Sequence, residues 1–266
     1  MSAAAPAPQP GLPQAGLPLA PAPGPAPRLA RWRAQTSLEW RLLMTNGEQV
    51  LLTLVIPLVA LVAVTQLGLA DLDAATPGIM ALAVLSSAFT ATAIATGFER
   101  RSGVLKYLGS TPLSRSGLLV GKVAATAAVI VVQLLLIGGA AALMGWQPAA
   151  ASPPVLLLTV ALGTAALGSW GFALAGLLRA EATLAVANGI FLLLMLAGGT
   201  VLPTGRLPGP LAAVVELLPS AALGDALRAL LDPALAGAGQ PWRDLVVLAI
   251  WAVTGTAVAI RTFRWE

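Results

Sequence analysis

The sequence contains no cysteine and no histidine in its 266 residues. Without cysteine there is no disulfide, no thiol nucleophile and no thiolate metal ligand. Without histidine the commonest general base and metal ligand is missing. Charge is scarce too. Asp, Glu, Lys and Arg make up 10% of the chain, against about 25% in soluble domains. Apolar residues fill the space: 58% of the chain is hydrophobic and the mean hydropathy is +0.86. So few charges cannot clothe the surface of a water-soluble protein of this size, and the chain reads as an integral membrane protein. The net charge is +4 and the isoelectric point is near 10.6. In a membrane protein such an excess marks basic cytoplasmic loops, which is a better account than nucleic-acid binding.

The expected fold is all-α and polytopic. Residues 1–27, "MSAAAPAPQPGLPQAGLPLAPAPGPAP", are dominated by alanine and proline. They have no charged leader, and proline breaks every apolar core, so a disordered tail is expected rather than a signal peptide. Residues 28–266 read as one transmembrane domain. A hydrocarbon core of roughly 30 Å needs about 20 apolar residues of helix. Six segments meet or approach that length: 51–69, 78–98, 118–144, 155–178, 182–202 and 244–260. Pro57 in the first should kink its helix without ending it.

Lysine and arginine set the orientation. Of fifteen basic residues, only Arg206, Arg228 and Arg243 fall on one side of the six crossings. The remainder cluster before the first span, between the second and third, at Arg179, and after the sixth. The positive-inside rule then places both termini and the 99–117 loop in the cytoplasm. Before the first span, "RLARWRAQTSLEWRLLMTNGEQV" mixes Leu29, Trp32, Leu38, Leu42 and Leu43 with Arg31, Arg33 and Arg41. That pattern predicts a helix lying in the headgroup layer. Between the fifth and sixth spans, two short amphipathic pieces near 210–218 and 220–231 are split by Pro219. They are too short to cross and are expected to rest at or dip into the outer leaflet. Asp225 and Arg228, one helical turn apart, suit a local ion pair.

Chemistry is sparse inside the spans. No charge sits in the middle of any of them, which argues against an ion-coupled transporter or channel. Gln66, Gln133 and Asn188 are polar candidates for touching a substrate, although hydrogen bonding between helices accounts for such residues more simply. Gly117 and Gly121 form a GxxxG pair, and further glycines crowd the fourth span, so close helix packing is expected. "SGLLVGKV", residues 116–123, imitates a phosphate loop, but Ser116 and Val123 stand where the motif needs Gly and Ser or Thr. Nucleotide binding by this chain is therefore excluded, and a metal site is not indicated. A membrane-bound enzyme working through carboxylates, or an assembly factor, is the remaining alternative, yet the acids are scattered.

One compact charged segment interrupts the apolar runs: "GFERRSGVLKYLGSTPLSR", residues 97–115. Read as a helix over 99–109, it lines up Val104, Leu105 and Leu108 with Arg100, Arg101 and Lys106 spread elsewhere. Thr111-Pro112 should stop it. A short helix with an apolar stripe and charges suits docking into a partner's groove. Phe98, Glu99, Arg100, Gly103, Leu105, Leu108, Thr111 and Pro112 resemble the cytoplasmic coupling segment of type-2 ABC transporter permeases, and the order of segments over residues 28–266 is similar as well. Drug-export members are nearest in character. Val104 departs from the family, where many members carry Thr. The resemblance implies an exporter subunit in the cytoplasmic membrane, not itself an enzyme. A separate cytoplasmic ATPase would bind ATP and magnesium, and a second permease copy would complete the pathway. It also implies contact with the ATPase through Glu99, Arg100, Arg101, Gly103, Leu105, Lys106, Leu108, Thr111 and Pro112. Leu105 and Leu108 would be its apolar anchors.

Overall fold

Long runs of Leu, Ala and Val without strand-like alternation favour helix. Among the described residues every regular element is helical. The structure, a computed structural model, describes residues 24, 26–45, 47–197, 209–235 and 240–262. Nearly all of the 1–27 tail, the end of the expected fifth span and residues 263–266 lie outside them.

The chain opens with α1 (Arg28–Thr45), followed by α2 (Gly47–Gln66). Then α3 (Leu72–Val84), a π-helical segment (Leu85–Ala91) and α4 (Thr92–Arg101) follow one another as a single helical stretch. The short α5 (Val104–Gly109) leads to α6 (Arg115–Leu143), α7 (Pro153–Leu177) and α8 (Ala180–Ala197). After these come α9 (Gly209–Val215), α10 (Pro219–Leu231), a 3₁₀ turn at Pro233–Leu235 and α11 (Trp242–Thr262).

Among the described residues, four helices are long and apolar enough to cross a membrane: Leu72–Arg101, Gly117–Leu143, Pro153–Leu177 and Trp242–Thr262. They correspond to the expected second, third, fourth and sixth spans. The expected first and fifth appear in α2 and α8, whose apolar stretches, Thr53–Gln66 and Ala180–Leu196, are shorter. Helix α2 runs on through Pro57. The second span begins earlier than the sequence suggested, because Pro77 lies inside the helix and not at its first turn. One backbone hydrogen bond is given up there.

The core runs through the middle of the bundle. Leu61, Val84, Leu85, Ile130, Ile137, Leu167, Leu223, Leu227 and Leu248 are fully enclosed in it. Helix α7 packs along α11, where Trp170 and Trp251 meet edge to face at 5.5 Å. Each indole N–H is satisfied: Trp170 donates to the Trp251 carbonyl at 3.2 Å, and Trp251 to the Leu217 carbonyl at 2.7 Å. Leu135, Leu193 and Val253 point outward from the helices. Exposed apolar side chains on long helices suit a lipid solvent.

Of the two short outer pieces, the second is enclosed by the chain itself. Helix α10 does not rest on a surface. It is buried along almost its whole length and packs against α3, α7 and α11. Its leucines alternate with Ala221, Ala222 and Ala226, small enough to let several helices approach at once. Its Arg228 is buried and pairs with Asp225 at 3.0 Å, the ion pair that the spacing suggested.

Candidate functional site

Helix α1 lies against α6 because α6 opens with two glycines on one face. A Cβ added at Gly121 would stand 2.5 Å from Cγ of Gln35, and one at Gly117 would stand 2.9 Å from Nε1 of Trp32. The GxxxG pair thus seats a helix of its own chain. The side chains that α1 buries are Gln35 and Glu39, while Leu29, Leu38 and Leu42 face outward. Polar inside and apolar outside suits a helix at a lipid surface.

Glu39 meets Lys122 of α6. Lys122 is only 5% exposed. Its Nζ donates to Glu39 Oε2 at 3.0 Å and lies 2.7 Å from each carboxylate oxygen of Glu99 on α4. Gln35 Nε2 donates to the other Glu39 oxygen at 2.6 Å. One ammonium therefore joins α1, α4 and α6 through two carboxylates. Taking an ion out of water costs several kcal/mol unless partners surround it, and here they do. From sequence, Lys122 counts only among the basic residues between the second and third spans, and the family resemblance assigns Glu99 to contact with the ATPase. The structure brings the two together with Glu39, which that reading left out.

The triad forms part of the wall of a cavity of ≈ 230 Å³ between α1, α2, the π segment, α4 and α6. Leu42, Leu43, Leu54 and Val129 supply apolar wall, and Ser87, Thr92, Thr96 and Thr126 supply hydroxyls. The π segment shapes this wall. Such bulges recur at functional sites because they widen the helix and redirect side chains. Thr92 Oγ1 donates back to the Ser87 carbonyl at 3.1 Å, five residues away. Ser87 donates to Gln133 Oε1 at 2.9 Å, and Gln133 Nε2 donates to the Thr53 carbonyl at 2.7 Å. Gln133 is thus a cross-link between helices.

The charged segment lies just past Glu99 in the chain. Arg100 closes the C-terminus of α7, donating to the carbonyl of Gly176 at 3.0 Å and to that of Leu178. A cation at a helix C-terminus is favourable, since the last carbonyls lack partners. Arg101 pairs with Glu181 at the surface. Gly103 then adopts φ 79°, the left-handed region that favours glycine. This turn breaks the expected 99–109 helix in two and rotates α5 against α4.

The rotation changes which leucines are available. Leu105 is 0% exposed, packed on Leu118 with Leu108, Leu113 and Leu119 around it. It anchors α5 to the chain's own α6, and Leu108 is partly covered beside it. The apolar side chains facing outward are Val104 at 42% and Tyr107 at 73%, flanked by exposed Lys106 and Arg101. Thr111 ends the helix, donating to the Leu108 carbonyl at 2.6 Å. Arg31 of α1 donates to the Pro112 carbonyl, and Ser114 caps α6 by accepting from the Gly117 amide at 3.1 Å. Gln66, at the end of α2, and Asn188, on α8, are exposed and do not line the cavity.

Residues 28–231 match the family model described as ABC-2 type transporter. The chain belongs to the ABC-2 type transporter family. No curated protein matches it. The matched stretch starts with α1 and ends with α10, so this ABC-2 membrane component carries the triad and the charged segment within its family portion.

Proposed function

We propose that the chain is the permease subunit of an ABC exporter of the cytoplasmic membrane, with six crossings and both termini in the cytoplasm. A separate ATPase supplies ATP, magnesium and motion, and a second permease copy completes the pathway. The observation that carries this reading is the built coupling segment. Gly103, Leu105, Thr111 and Ser114 fix α5 rigidly between two span helices, while Val104, Lys106 and Tyr107 face outward. A displacement of α5 is passed to α6 through Leu105 and Leu118, and from Lys122 to α1 and α4.

Interfaces rest on a few buried aromatic or apolar anchors, and Tyr107 with Val104 has that character. Leu105 is enclosed against Leu118 of the chain's own α6, so it is not available as a docking anchor, while half-buried Leu108 beside it stays at the edge of the face. The tagged chain, purified from its own membrane in mild detergent, should retain an ATPase bearing a phosphate loop. Val104→Asp with Tyr107→Asp should insert normally and lose that ATPase, because two charges would enter an apolar groove. Retention at wild-type yield would contradict the assignment.

The buried Glu39–Lys122–Glu99 triad is the one observation favouring ion coupling instead, since enclosed charges are what ion-driven carriers use. Flux into liposomes without ATP or the ATPase would select that alternative.

A further inference from the structure

The triad does not balance. With all three groups ionised, two carboxylates face one ammonium in a cavity otherwise walled by apolar side chains and neutral hydroxyls, which leaves one negative charge. The other basic groups close by in sequence are engaged elsewhere: Arg100 on the end of α7 and Arg101 on Glu181. A buried excess charge is costly until a counter-charge enters. A second, independent feature lies in the same wall. Thr96 is 2% exposed, lines the cavity, and its Oγ1 has no hydrogen-bond partner among the described residues. It stands one turn before Glu99 on α4, so hydroxyl and carboxylate share a face. Buried hydroxyls without partners are rare in native proteins. The cavity rim carries exposed apolar Leu42, Met44 and Val132.

We propose that this cavity binds an amphiphilic organic monocation, its ammonium held by Glu99 and Thr96 and its apolar body against Leu43, Leu54 and Val129. The volume of ≈ 230 Å³ admits the headgroup and the first part of an apolar body, and the rest leaves along the rim. An ammonium supplies both things the site lacks. Its charge balances the triad, and its N–H groups donate to the free lone pairs of Thr96 and Glu99. A zwitterionic headgroup would bring a phosphate beside two carboxylates, and an anion would add to the excess. The cavity accordingly selects a single positive charge. That the bound cation is cargo rests on the permease reading; that it binds does not.

The test uses the full chain in detergent micelles, without the ATPase, so a failure here leaves the permease assignment untouched. Dansylcadaverine serves as probe: a primary ammonium on a fluorescent apolar body. Saturable fluorescence enhancement is expected. The N-acetylated probe, with the charge removed, should bind at least about tenfold more weakly, the scale of one charge-assisted hydrogen bond. Glu99→Gln should weaken the cation by a similar factor and leave the acetylated probe unchanged. Thr96→Val, which breaks no side-chain hydrogen bond among the described residues, should fold normally and weaken the cation several-fold. Equal binding of charged and acetylated probes would overturn the proposal and assign the excess charge to a bound proton. Unchanged cation affinity in both variants would overturn it too, as would competition by phosphatidylethanolamine as strong as that by an alkylammonium.

Discussion

At the residue scale, Lys122 holds α1, α4 and α6 together. Replacing it by Met leaves Glu39 and Glu99 facing each other with no cation between them. Removing one member of a buried ion pair costs about 3–5 kcal/mol. Lys122→Met should therefore lower the thermal unfolding midpoint of the detergent-solubilised chain, followed by circular dichroism. Glu39→Gln keeps the Lys122–Glu99 contact and an amide for Gln35, so its loss should be clearly smaller. Equal midpoints for wild type and Lys122→Met would show that the pair contributes no net stability. None of this was visible from spacing. Lys122 lies 83 residues from Glu39, and nothing local to either residue names the other. The one usable hint was Gln35 and Glu39 at i and i+4, a polar pair on a helix otherwise suited to lipid.

At the element scale the sequence was most legible where hydrophobic runs were long. Helices α3–α4, α6, α7 and α11 stand where apolar length put them, because in lipid the backbone has few alternatives to helix. The fate of α10 was less legible. Its short amphipathic pattern fits a surface helix as well as an enclosed one, and only the neighbours that cover it decide. The segment 99–109 was misread as one helix because a glycine at φ 79° looks the same in sequence as a helical glycine. The GxxxG pair was recognised, but its partner, α1, was not named. That contact makes a prediction. Gly121→Leu should push α1 off α6, at an overpacking cost of about 1–3 kcal/mol. A cysteine placed at Gln35 reports it without background, since the chain has none of its own. Labelling by a thiol reagent should be slow in the single variant and roughly tenfold faster with Gly121→Leu added, as the local opening energy falls. Equal rates would remove the glycines from α1 docking.

At the scale of the whole molecule, the family assignment and the apolar helices make this a membrane transport component, and the orientation is read from its basic residues. Cysteines at Ser102 and Gly209, both exposed, test that orientation with a membrane-impermeant thiol reagent on intact cells. Gly209→Cys should label and Ser102→Cys should not; labelling at position 102 would invert the topology. On the proposed function, a separate ATPase grips the outward face of α5. A photo-crosslinking residue at Tyr107, in membranes containing the native partner, tests it most directly. A crosslink to a polypeptide that carries a phosphate loop and binds ATP is expected, with none from the same group at outward-facing Leu135. Absence of any ATP-binding partner at position 107, or the same capture from position 135, would contradict it.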